Sequence, residues 1–139
     1  MPGLRVVEVR GKLSPTQRVG VQDLLRLCFG SSAAIQDRAA KTWWMVVAGA
    51  AVVAAANVER GVLWDLCVHP ACRRRGVGGA LLRHVLRAAG GGGGGAPLCL
   101  FIDTWQNAPF YQKRGFQVDP APPETPPPGA VACMVRRKS

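Results

Sequence analysis

The stretch "VHPACRRRGVGGALL", residues 68–82, sets three arginines beside three glycines where one apolar run ends and the next begins. Gly76, Gly78 and Gly79 carry no side chain, so a partner can approach the main chain closely there. Arg73, Arg74 and Arg75 make that partner an anion. A strand, a glycine-rich turn and a helix in succession point free N–H groups, and the positive end of the helix dipole, at such an anion. Two phosphate-binding patterns do not fit. A Walker A loop would end in Gly-Lys-Ser/Thr, and this turn has neither the lysine nor the hydroxyl. The dinucleotide fingerprint would put a third glycine at position 81, which is leucine, and an acid about 20 residues on, which is missing. The bland alternative is a solvated helix entry or a nuclear-localisation patch. Cys67, His69 and Cys72 lie close together, but no second ligand cluster accompanies them, so a zinc site is not expected.

The turn needs a strand before it and a helix after it. Val62–Val68 reads as the strand, stopped by Pro70. Gly76–Ala89 reads as the helix, with Val77, Leu81, Val85 and Ala88 at helical spacing. Earlier, Leu4–Val9 alternates like a strand. Ser14 then caps a helix that has Pro15 at its first position and stops at Gly30, with Val21, Leu24, Leu25 and Cys28 on one face. A second short helix is expected over residues 31–41. "WWMVVAGAAVVAAA", Trp43–Ala56, is too short to span a bilayer and reads as two strands joined at Ala48–Gly49–Ala50. Beyond the turn, "LCLFID" reads as a strand, Asn107–Arg114 as a short helix, Phe116–Val118 as a strand, and "AVACMV" as the last strand. Gly90–Gly95 is read as an internal loop and Pro120–Gly129 as a surface connection. The fold class is α/β, mixed in the α+β sense: one domain over residues 1–139, with a central sheet of six to seven strands flanked by helices. One strand–helix–strand crossover makes part of that sheet parallel.

Arg73-Arg74-Arg75-Gly76-Val77-Gly78 matches the pattern R-x-x-G-x-G, and "NAPFYQKRGF" follows about 30 residues later. Together with "LWDLCVHP", these stretches resemble the GNAT superfamily of acyl-CoA-dependent N-acetyltransferases across residues 60–118. The resemblance implies acetyl-CoA as co-substrate, with direct transfer to a primary amine. It implies that the main chain of Leu66, Cys67 and Val68 pairs with the amides of pantetheine. The N–H groups from Arg74 to Gly79, those of Gly76, Val77 and Gly78 among them, would hold the pyrophosphate, and Asn107 the pantetheine arm.

The chemistry asks for two proton-handling groups. An amine with a reference pKa near 10.4 must lose a proton before it attacks, and a departing thiolate benefits from a donor. The resemblance makes Tyr111, the single tyrosine of the chain, the acid at the sulfur; otherwise it is a core aromatic between Phe110 and Phe116. Asp65, an acid inside an apolar strand, is either the base or the partner of an arginine in a salt bridge, since an unpaired buried carboxylate is costly. Asp103 is the second choice for the base, and His69 reads as a surface residue. Acyl transfer through Cys67 is an alternative route that the chemistry does not need.

The formal net charge of +10 favours acidic partners. It points to an anionic acceptor such as an amino-sugar phosphate, with peptides and polyamines as alternatives. A basic nucleic-acid-binding module is the reading from another class, opposed by the absence of aromatics interleaved with the basic residues. The five scattered cysteines and the lack of a secretory leader predict reduced thiols and a cytoplasmic or nuclear protein, not a membrane one. A monomer and a homodimer both stay open.

Overall fold

The computed structural model describes residues 4–35, 41–88, 97–121 and 125–137. Seven strands form one sheet in the order β1-β2-β3-β4-β5-β7-β6. They are β1 (Leu4–Arg10), β2 (Thr42–Ala48), β3 (Ala51–Glu59), β4 (Val62–Val68), β5 (Leu98–Ile102), β6 (Gln117–Asp119) and β7 (Ala132–Arg136). The helices are α1 (Pro15–Phe29), α2 (Val77–Ala88) and α3 (Ala108–Gln112), with single 3-10 turns at Pro70–Cys72 and Trp105–Asn107. Only β4 and β5 run parallel, joined through α2; all other neighbours are antiparallel. The mixed sheet and its single crossover agree with the sequence.

Local chemistry explains the helix ends. Ser14 Oγ accepts from Gln17 N at 3.2 Å, and Gln17 Oε1 accepts from Ser14 N at 2.9 Å. This reciprocal box fixes the start of α1. Losing the serine hydroxyl would cost about 1 kcal/mol. Gly30, at φ +106°, closes the other end by donating to Arg26 O. The expected second helix does not form in the described part of its range: Ser31–Ile35 is a turn and irregular chain, held by Gln22, whose side chain donates to Ala33 O and accepts from Ile35 N. Residues 36–40, Ala89 and the Gly90–Gly95 loop lie outside the described residues.

The two larger cores lie on opposite faces of the sheet, and Val62, Cys99, Cys133 and Val135 form a third, smaller cluster. Leu81, Leu82 and Val85 of α2 pack against Trp44, Ala54, Ala56, Leu63, Leu100 and Phe116. Val21, Leu24 and Leu25 of α1 pack against Trp43, Met45, Ala55 and Cys67 on the other face. All five cysteines are free thiols; Cys67, Cys99 and Cys133 are buried. No helix among the described residues is long and apolar enough to cross a membrane.

Candidate active site

The site begins with an irregularity in β4. Asn57 pairs with Trp64 and Ala55 pairs with Cys67, so Ala56 on β3 faces two residues of β4, Asp65 and Leu66. The extra residue is a bulge. Asp65 takes the left-handed conformation, φ +58°, which a non-glycine residue adopts at some cost. The bulge turns β4 away from β5. The two strands pair only at Val62–Cys99 and Leu63–Leu100, then separate. His69 N donates to Val53 O at 2.7 Å. By strand alternation, Cys67 faces its partner Ala55 on β3, whereas Val68 turns its carbonyl into the opening. There Val68 O accepts from Arg73 Nε at 3.0 Å and from the Cys28 thiol at 3.5 Å.

A cleft of about 590 Å³ occupies this opening. Leu66, Cys67 and Val68 line one side, and Arg73, Arg74 and Gly76–Gly79 line another; Asn107, Tyr111 and Arg114 complete it. All the residues expected to hold the cofactor are therefore together except Arg75, which is exposed and does not line the cleft. The first amide to close within α2 is that of Ala80, onto Gly76 O at 3.0 Å. The amides of Val77, Gly78 and Gly79 have no acceptor within the helix and suit an anion. The three glycines serve different ends. Gly76 has φ +79°, and a Cβ there would meet nothing within 4 Å. A Cβ on Gly78 would stand 3.1 Å from Val68 Cγ2 and 3.7 Å from the Phe110 ring. The space beside Gly79 is filled by the guanidinium of Arg114.

Arg114 is the residue that sequence reasoning passed over. Its Nη1 donates to Phe110 O at 2.8 Å, and its guanidinium lies over the Phe110 ring, 4.2 Å from the centroid. A fixed positive charge therefore lies at the start of α2. It was visible as the "KRG" of the second motif, but only the fold brings it to the glycine turn.

A second cavity, of about 190 Å³, adjoins the cleft. Phe29, Leu66, Asn107 and Tyr111 line both spaces. Asp65, Asp103, Trp64 and Phe101 line only the smaller one, and no arginine or lysine among the described residues lines it. The rings of Trp64 and Phe101 lie 5.6 Å apart. Asp65 Oδ2 accepts from Asn57 Nδ2 at 2.8 Å, so an amide on β3 holds the acid, and no arginine among the described residues is paired with it. Asn107 makes no capping bond with its side chain, which leaves its amide for a ligand. His69, half-buried, accepts from Ala71 N through Nδ1 and lines neither space.

The Tyr111 ring stands edge-on to Phe110 and Phe116, with centroids 5.1 and 5.8 Å away. Burial, then the nearby Asp103 carboxylate and Cys67, push its phenol up to about 12. Burial, reinforced by the neighbouring Cys28 thiol and by Asp65, pushes the Cys67 thiol far up, so it stays uncharged. No group of three or more metal-ligating side chains occurs among the described residues.

Residues 39–118 match the acetyltransferase (GNAT) domain. The chain belongs to the GNAT family and is an acyltransferase that uses acetyl-CoA, which replaces the reading as a basic nucleic-acid-binding module. Its fold is that of Escherichia coli ElaA, with a TM-score of 0.80 at 18% identity over 96% of this chain and 99% of that one. The E. coli ribosomal-protein-S18-alanine N-acetyltransferase is similar with a TM-score of 0.70, at 17% identity over 97% and 95%. E. coli YhhK bound to coenzyme A gives 0.64, at 21% identity over 96% and 98%. Among curated proteins no sequence matches.

Proposed function

We propose that the protein transfers acetyl directly from acetyl-CoA to a cationic primary amine, with both substrates bound at once. The supporting observation is that Tyr111 stands on the wall shared by the cleft and the smaller cavity. The cofactor occupies the cleft. Its pantetheine amides meet the main chain of Leu66 and Val68, since Cys67 already faces β3. Its pyrophosphate rests on the amides from Arg74 to Gly79, with Arg74 and Arg114 balancing the charge. Asn107 holds the pantetheine arm.

The amine enters beside Asp65. The ammonium first gives one proton to that carboxylate, which releases it to water, so that the neutral nitrogen can form the C–N bond; the nitrogen then gives its second proton to the same carboxylate. The C–S bond breaks, the leaving sulfur takes a proton from the Tyr111 phenol, and the phenolate regains one through solvent from the protonated carboxylate. The raised phenol keeps its proton at neutral pH, as a donor must. An uncharged Cys67 is a poor nucleophile, which favours direct transfer over an acyl-enzyme.

The acceptor's charge follows from the cavity. Two carboxylates, Asp65 and Asp103, face it together with the aromatic rings of Phe29, Trp64, Phe101 and Tyr111 and no basic side chain among the described residues. An ammonium ion suits such walls, whereas an amino-sugar phosphate would meet repulsion and find no cation. Of the positive charge that suggested an anionic acceptor, Arg73, Arg74 and Arg114 stand around the cofactor cleft instead. A panel of spermidine, benzylamine, a peptide with a free N-terminus and glucosamine 6-phosphate, followed by free-thiol release from acetyl-CoA, tests this. Turnover of amines that lack phosphate supports the reading; selective turnover of glucosamine 6-phosphate contradicts it.

A further inference from the structure

Strand β3 reads "AVVAAANVE", and its Asn57 is completely enclosed. Its Nδ2 donates to Asp65 Oδ2 at 2.8 Å, and its Oδ1 has no hydrogen-bond partner among the described residues. A side chain placed there for packing alone would carry no orphaned carbonyl, because leucine offers nearly the same shape without that penalty. The asparagine also sits beside the bulge, paired through its Cα with Trp64, immediately before the left-handed Asp65. An ionised carboxylate can only accept, so the amide must present its N–H₂ to it.

We propose that Asn57 is a positioning residue for acyl transfer: it pins one oxygen of Asp65 across the bulge and leaves the other oxygen for the acceptor's ammonium group. This rests on the reading of Asp65 as the base. The bulge gives the acid a backbone conformation that the strand alone would not hold, and the amide fixes its side chain. An amide suits the task because it does not titrate and so never competes for the proton. The other titratable groups around Asp65 are Cys67 on its own strand, Asp103 at the end of β5 and Tyr111 on α3.

The test begins with a crystal structure of Asn57→Leu, which needs no acceptor. The variant is expected to fold at least as well as the wild type and to leave the Asp65 carboxylate in a different orientation, because the hydrogen bond that pins it is lost. With spermidine as acceptor, Asn57→Leu should lower turnover by about tenfold with acetyl-CoA affinity unchanged. In an Asp65→Asn background, Asn57→Leu should cost nothing further, because the two act as a unit. Should Asn57→Leu fail to fold, Asn57→Ser is read the same way. An Asp65 carboxylate that keeps its wild-type orientation in Asn57→Leu overturns the proposal. Impaired turnover in Asp65→Asn together with normal turnover in Asn57→Leu also overturns it and leaves the base reading standing. Wild-type turnover in Asp65→Asn removes the base reading, and the proposal with it.

Discussion

Asp65 and Tyr111 line the same small cavity, but only Tyr111 also lines the cofactor cleft. In the proposed roles, Asp65 would face the acceptor alone, while Tyr111 would face both substrates. This asymmetry is what a transfer between two molecules needs, and the β4 bulge creates it by separating β4 from β5.

Tyr111→Phe keeps the edge-on packing against Phe110 and Phe116 and removes only the hydroxyl. Turnover should fall about 10²-fold with acetyl-CoA affinity unchanged. Steady-state kinetics and calorimetry check the two halves, and an unchanged turnover would remove the acid role.

Gly78→Val should abolish acetyl-CoA binding in a chain that still folds. The new side chain would press on Val68 and Phe110 at the cleft wall. Normal affinity by calorimetry, with native circular dichroism, would contradict the backbone cradle.

Arg114→Met should weaken acetyl-CoA binding about tenfold, the scale of one lost charge-assisted contact. Gly79→Ala should do nearly the same, because its methyl group displaces the guanidinium from the start of α2. If the two losses simply add in the double variant, Arg114 does not act at that point.

The alkaline behaviour follows from raised acids. The folded chain holds protons on Cys67, Cys133 and Tyr111 that the unfolded chain releases at lower pH. Their contribution is complete below the ordinary thiol and phenol values, 9.0 and 10.0, and is lost as pH rises toward the folded ones. Each group contributes a slope of about 1.4 kcal/mol per pH unit within its own window. Urea unfolding between pH 8 and 11, on the order of the reference range, should show stability falling with pH. Tyr111→Phe should flatten only the part above about pH 10. A fall in turnover near pH 10 that vanishes in Tyr111→Phe would show that the phenol is not raised.

Much of this architecture was legible because it is local. Ser14, Pro15 and Gly30 mark the limits of α1, and Pro70 with the glycine turn marks the step from β4 to α2. The bulge was not legible, since a left-handed aspartate leaves no glycine to announce it. Asn57 stood in plain view as one polar residue in an alanine-rich strand, but its partner is eight positions away across a ladder whose register only the fold sets. The acceptor charge proposed from the cavity departs from the one that net charge suggests for a related reason. Net charge sums over the whole surface, whereas the cavity is set by which side chains gather there; Arg73, Arg74 and Arg114 line the cleft and two acids the pocket.

The central claim is that α2 and β4 grip acetyl-CoA so as to present its thioester to Tyr111. A crystal structure with bound acetyl-CoA tests it most directly. The account predicts the pyrophosphate on the amides between Arg74 and Gly79, with the thioester sulfur within hydrogen-bond reach of the Tyr111 hydroxyl. A cofactor bound elsewhere, or one whose sulfur points away from that hydroxyl, would contradict it.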